Sequence, residues 1–156
     1  LLDKKYSGQV TMSHAGLKPK ARMANESEFL SGKKTIMVAT TAFGMGIDLD
    51  SVDLVIHFNM SLSLTDYMQQ SGRAGRNGQK AHAVLLYSDE DYYTNLAILH
   101  DGHPTLRGMG QLDIMKEFCD DNEHCMAQLL LEHFGQKMKK SCKHCTVCQK
   151  NRRAEK

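Results

Sequence analysis

The feature that most constrains this chain is a change of pattern near Ser88. Before it, short apolar runs alternate with helical patterns; after it, the strand-like runs stop. Strands alternating with helices imply βαβ units and a parallel sheet. Strands are expected at residues 9–12, 35–39, 52–58 and 81–87, with helices at 18–32 and 64–71. Pro19 suits the first turn of the earlier helix, Met23, Phe29 and Leu30 supply its apolar stripe, and Gly32 stops it. Downstream, three helices are expected at 89–100, 108–120 and 123–134, the last capped by Asn122 and stopped by Gly135. Residues 137–156 are basic, rich in cysteine and poor in large apolar side chains. The expected organisation is an α/β lobe over 1–88 with a sheet of roughly four strands, incomplete at its N-terminal side. A small helical unit over 89–150 and a basic tail over 151–156 follow it.

Composition narrows the class. With 156 residues, 41% of them hydrophobic, the chain can bury a core without disulfides and falls outside the disordered classes. The longest uncharged run, residues 35–47, is too short and too polar for the ~20 residues of a membrane span. No charged stretch followed by an apolar core opens the chain, so an intracellular location is expected. The start at Leu1-Leu2-Asp3 without Met suggests a piece of a longer protein.

Five cysteines without an export signal, four of them after residue 124, read as metal ligands before disulfides. Cys142-x-x-Cys145-x-x-Cys148 is the core of the set, and Cys125 lies upstream. Along a helix at 1.5 Å per residue, Gly135 is about 15 Å from Cys125, and the extended chain onward to Cys142 reaches back over up to ~23 Å. Four thiolates would close a tetrahedral structural zinc site, and the pair of charges −4 and +2 would bring the formal net charge of +2 to zero. An iron–sulfur centre uses similar runs and stays open as an alternative, as do His124, His133 and His144 as ligands. Cys119 is not expected to ligate. It lies near a helix C-terminus beside Phe118, where the dipole opposes a thiolate, whereas Cys125 falls in a first turn, where it is favoured.

Two loop segments carry polar chemistry. Thr40-Thr41-Ala42-Phe43-Gly44-Met45-Gly46-Ile47-Asp48 follows an expected strand, at the end of a parallel sheet where ligands bind. Tyr67 to Gly78 places Arg73 and Arg76 three apart, on one face of a helical turn, where two guanidiniums could hold a triphosphate. Gly32-Lys33-Lys34-Thr35 is not a phosphate-binding P-loop, because Ser27 stands at its first glycine and the segment precedes a strand.

Phe43-Gly44-Met45-Gly46-Ile47-Asp48 and Gln69-Gln70-Ser71-Gly72-Arg73-Ala74-Gly75-Arg76-Asn77-Gly78 resemble motifs V and VI of superfamily-two helicases of the RecQ family. His14-Ala15-Gly16-Leu17 resembles the same family's HAGL segment. The resemblance runs from about Tyr6 to Cys148. It implies a fragment of an ATP-dependent DNA helicase that unwinds DNA 3′ to 5′ in recombination and repair, comprising the second RecA-like lobe and a helical zinc-binding subdomain. By the same resemblance, Arg76 is the arginine finger and Arg73 its companion on the phosphates. Gln70 faces the lobe cleft, Gly46 and Asp48 contact the nucleotide side, and Thr40, Thr41 and His14 are the candidates for DNA contact. Zinc would be held by Cys125, Cys142, Cys145 and Cys148. ATP and Mg²⁺ would be shared with a first RecA-like lobe, and the nucleic-acid partner would be single-stranded DNA and its junctions with duplex.

The chain departs from the family pattern in several places. Ser13 stands before HAGL where the family has Tyr, Leu49-Asp50 stand for Lys-Pro, and Asn77 stands for Asp. Ser61-Leu62-Ser63 replace a Pro-basic segment. Met126-Ala127 replace an arginine pair, and Thr146 stands where Asp is common. A non-catalytic, zinc-dependent nucleic-acid-binding module is the rival reading.

Overall fold

In the computed structural model, residues 2–41, 43, 52–76, 78–102 and 105–154 are described. Gly46, Asp48 and Asn77 lie outside them. The chain forms two compact units: residues 1–52 with 75–80, and residues 53–74 with 81–156.

In the first unit, a short α1 (Leu2–Lys5) leads to β1 (Val10–Ser13), α2 (Pro19–Leu30) and β2 (Ile36–Ala39). β1 and β2 pair in parallel with Ser13 opposite Ala39, so both strands end side by side. Pro19 opens α2, where its missing N–H has no partner to lose. The helix is tied to β1 by Ser13 Oγ donating to Glu26 Oε1 at 2.7 Å and by Asn25 Nδ2 donating to the Met12 carbonyl at 2.8 Å.

The second unit contains β3 (Leu54–His57), α3 (Leu64–Ser71), β4 (His82–Leu85), α4 (Asp89–Asp101), α5 (Leu106–Asp120), α6 (Met126–His133) and α7 (Thr146–Ala154). β3 and β4 are also parallel, His57 lying opposite Leu85. The four expected strands therefore exist as two βαβ units. Among the described residues they form two two-stranded sheets, not the one sheet expected.

Caps explain the helix starts. Ser63 Oγ accepts from the Asp66 N–H at 3.1 Å, Ser88 and Asp91 form a capping box, and Thr105 Oγ1 accepts from the Gly108 N–H at 3.0 Å. α6 starts at Met126 with Cys125 as N-cap, not at 123 with Asn122. The reason is local: Asp121 Oδ1 accepts from the N–H groups of Glu123 and His124 at 2.9 and 2.7 Å, folding those residues into a turn. At the other end Gly135, at φ 75°, completes a Schellman motif, with Gln136 N–H donating to Leu131 and Gly135 N–H to Glu132. α7 was not expected, since of its nine residues only Val147 is buried.

The core of this second unit joins Met60, Leu64 and Tyr67 to Leu112, Met115 and Phe118. α3 thus packs on α5, and Met126, Leu129 and Leu130 of α6 pack against the same cluster. The compact units consequently divide elsewhere than at the boundary expected after residue 88, because this core draws side chains from both sides of it. Polar bonds reinforce the packing. Asp91 accepts from Asn59 Nδ2 at 2.7 Å and from the Met60 N–H at 3.2 Å, and Asn95 Nδ2 donates to the Met60 carbonyl at 2.8 Å. Lys116 Nζ donates to Asp120, Tyr87 and Asp89 at 2.7, 2.7 and 3.0 Å, tying α5 to the start of α4. Leu112 is fully buried, so Leu112→Ala should cost about 2–5 kcal/mol in urea denaturation. A loss below about 1 kcal/mol would show that this core is not shared as described.

Candidate metal centre and motif helix

The N-terminus of α6, the 142–145 turn and the start of α7 bring four sulfurs together: those of Cys125, Cys142, Cys145 and Cys148 all lie within 4.8 Å of one another. Tetrahedral Zn–S bonds of about 2.3 Å place sulfurs roughly 3.8 Å apart, and Cys142 and Cys148 are 4.0 Å apart. The donor set therefore fits a four-coordinate thiophilic dication. Cys119 is outside the group.

The backbone prepares the sulfurs to be thiolates. Cys142 Sγ accepts from the N–H groups of His144 and Cys145 at 3.4 and 3.2 Å, Cys145 Sγ from that of Cys148 at 3.5 Å, and Cys125 Sγ from that of Cys142 at 3.2 Å. Cys125 and Cys145 each directly precede a helix, where the dipole and the first N–H groups favour negative charge. Burial opposes ionisation of Cys125, but the Cys142 and Gln128 N–H groups together with the Cys142 and Cys148 thiols beside it bring the thiol down to about 6. Cys145 is lowered in the same way against burial, through the N–H groups of Cys148 and Met126. Cys148 is raised to about 11 by burial and by the Cys145 thiol beside it. Without a cation the cluster thus resists holding four negative charges at once, and a dication removes that conflict. Cys119 is raised to about 12, chiefly by burial and then by Asp120, and stays a neutral thiol. Of the histidines near the cluster, His124 is exposed and turned to Asp121, its Nδ1 2.8 Å from Oδ2.

The motif helix is α3. It ends at Ser71, and the chain continues in turns through residue 76, with Arg73 N–H donating to the Gln70 carbonyl and Ala74 N–H to Ser71. Gly75, at φ 72°, then reverses the path. Arg73 and Arg76 both lie beyond the end of the helix, Arg73 in the second compact unit and Arg76 in the first. Arg73 is half-buried and Arg76 exposed. Gln70 is half-buried, and its Oε1 lies 2.9 Å from Nε2 of buried His57, a residue that sequence reasoning passed over.

In the first unit, His14 follows β1 while Thr40 and Thr41 follow β2, at the same end of the sheet. The Thr40 N–H donates to the Ser13 carbonyl at 3.2 Å. His14 Nδ1 accepts from the Gly16 N–H at 3.2 Å, and both threonines are exposed.

Comparison with known proteins agrees with this architecture. The helicase conserved C-terminal domain family matches residues 1–78, and the RecQ zinc-binding family matches residues 67–149. The RecQ-like DNA helicase blm-1 of Caenorhabditis elegans is 32% identical over 90% of this chain, which spans 15% of that protein. The ATP-dependent DNA helicase hus2/rqh1 of Schizosaccharomyces pombe is 38% identical over 86% of this chain and 11% of its own length. The ATP-dependent DNA helicase RecQ of Bacillus subtilis is 32% identical over 90% of this chain and 24% of its own length. The chain therefore spans less than a quarter of these relatives. Among solved structures, the yeast DEAD-box splicing factor Prp28 aligns with TM-score 0.51 at 28% identity, over 69% of this chain and 24% of that one. A Saccharomyces cerevisiae Dbp5 bound to Gle1 aligns with TM-score 0.51 at 21% identity, over 76% and 34%, which bears on the fold alone. The fold class is that of a RecA-like parallel-sheet lobe followed by a helical, cysteine-clustered subdomain.

Proposed function

This chain belongs to the RecQ family of helicases, and from that footing we propose that it serves as the second motor lobe and zinc subdomain of an ATP-dependent DNA helicase. Residues 1–88 carry the motor motifs in this reading, 89–150 the zinc-bearing helices and 151–156 a basic tail. Arg76 and Arg73 meet the charge that develops on the transferring phosphoryl group, which rigid guanidinium forks are suited to stabilise. Gln70, Gly46 and Asp48 line the nucleotide side. A first RecA-like lobe supplies the phosphate cradle and Mg²⁺, and Thr40, Thr41 and His14 contact the backbone of a single DNA strand leading to a duplex junction. Loss of the γ-phosphate then couples to a step along that strand.

The observation carrying this reading is that Gln70, Arg73 and the four-cysteine cluster belong to one compact unit, with α3, α5 and α6 sharing its core. Zinc held by Cys125, Cys142, Cys145 and Cys148 supplies a structural crosslink there. The ligands themselves do the joining: Cys125 at the head of α6, Cys142 and Cys145 in the turn, and Cys148 in α7.

The test uses the full-length protein containing this chain. It should hydrolyse ATP when single-stranded DNA is added and unwind a duplex bearing a 3′ single-stranded tail, as read by phosphate release and strand separation. DNA binding without DNA-stimulated ATP turnover would instead support the non-catalytic zinc module. The 156-residue chain alone contains no P-loop sequence, so purified by itself it should release no phosphate from ATP above background. Turnover stimulated by DNA would overturn the assignment of the phosphate cradle to the first lobe.

A further inference from the structure

His57 ends β3 and is 8% exposed. Its Nε2 lies 2.9 Å from Oε1 of Gln70, the penultimate residue of α3. An amide oxygen only accepts hydrogen bonds, so Nε2 must be the donor. The other ring nitrogen, Nδ1, is buried as well. Burial holds the pKa of the ring below the ordinary histidine value, against the Gln70 bond and a backbone bond with Val84, both of which favour the charged form. The ring is also fixed in place: its centroid lies 4.9 Å from that of Tyr67, which in turn lies 5.8 Å from that of Phe118.

We propose that His57 is a positioning residue for ATP hydrolysis, acting through Gln70. Its Nε2–H takes the acceptor side of the Gln70 amide, so the amide's two N–H donors are turned away from the ring. A free glutamine side chain rotates and presents either end. This one is held with a defined polarity, on the helix that leads directly into Arg73. Donors at that place suit phosphate oxygens, and a fixed amide loses less freedom when nucleotide arrives than a mobile one does. The inference rests on the placing of Gln70 at the nucleotide cleft in the preceding section. It adds that a residue on the preceding strand sets which end of Gln70 is offered.

The experiment is a double-mutant cycle in the full-length protein, reading DNA-stimulated ATP turnover as kcat and KM separately, with melting of every variant. His57→Phe keeps a ring against Tyr67 but removes the donor. It should lower kcat roughly 5- to 30-fold, the worth of one to two hydrogen-bond energies, with KM changed less. His57→Gln restores a donor and should recover most of that loss. In a Gln70→Ala background, His57→Phe should lower kcat by less than about twofold further. Effects that multiply while the proteins remain folded would overturn the inference and leave Gln70 at the cleft. So would a His57→Gln variant no better than His57→Phe. A Gln70→Ala variant with full turnover would remove Gln70 from the cleft, and this inference with it.

Discussion

Cys125→Ser should release zinc and unfold the C-terminal helices, while Cys119→Ser should keep a full equivalent of metal. The two cysteines are six residues apart, one inside the last turn of α5 and the other at the start of α6, so composition does not separate them. Their surroundings do. Cys125 caps α6 with its sulfur among three others and its thiol pulled down to about 6. Cys119 sits on α5 against the core as a neutral thiol, raised to about 12 by burial. Structural zinc contributes an apparent ~10–16 kcal/mol, comparable with the ~5–15 kcal/mol that holds a whole domain together. Loss of one thiolate ligand therefore outweighs anything Cys119→Ser can do, which is the ~0.5–3 kcal/mol of an ordinary substitution. Because Met126, Leu129 and Leu130 of α6 pack on the cluster that also holds Leu64 and Tyr67 of α3, the loss should spread to the motif helix. Elemental analysis and thermal melting of the two variants decide the matter. Zinc kept by Cys125→Ser and lost by Cys119→Ser would reverse the assignment. Iron in the purified wild-type protein would replace zinc with an iron–sulfur centre.

Arg76→Ala in the full-length protein should lower kcat for DNA-stimulated ATP hydrolysis by ~10³–10⁵, as removal of arginine fingers does in other phosphoryl-transfer enzymes. Nucleotide affinity should fall much less, because a finger acts on charge that exists fully only in the transition state. Arg76→Lys should recover little. A lysine keeps the charge but loses the planar fork that meets two oxygens together. The measurements are single-turnover ATP cleavage and equilibrium nucleotide binding on the same preparations. If affinity and rate fall by the same factor, Arg76 is a ground-state phosphate contact and the finger must be sought elsewhere, Arg73 being the first alternative.

The amino-acid sequence by itself determined the elements whose signals are local. Alternating apolar runs specified all four strands to within a few residues, and Pro19, Ser63 and Gly135 act on bonds within a single turn of their own positions. The spacing of Cys142, Cys145 and Cys148 was equally legible, since a two-residue gap is what lets one sulfur accept the N–H groups that follow it. The start of α6 was misread because Asp121, Asn122 and Glu123 all carry capping chemistry, and only the folded turn shows Asp121 taking both available N–H groups. α7 has no apolar stripe to announce it. Its first turn is fixed from outside, by the Cys145 sulfur and by Val147 entering the interior. What only the tertiary structure decided is which elements share a core and which polar groups meet across it. Leu64 and Tyr67 pack with Leu112, Met115 and Phe118 from more than forty residues away, carrying the core across the change of pattern at Ser88. His57 meets Gln70 across the shorter span from the end of β3 to the end of α3. Periodicity reports that a side chain will be buried; it carries no information about the partner, because that choice is made by summed packing over the whole unit and not by any interaction between neighbours in the chain.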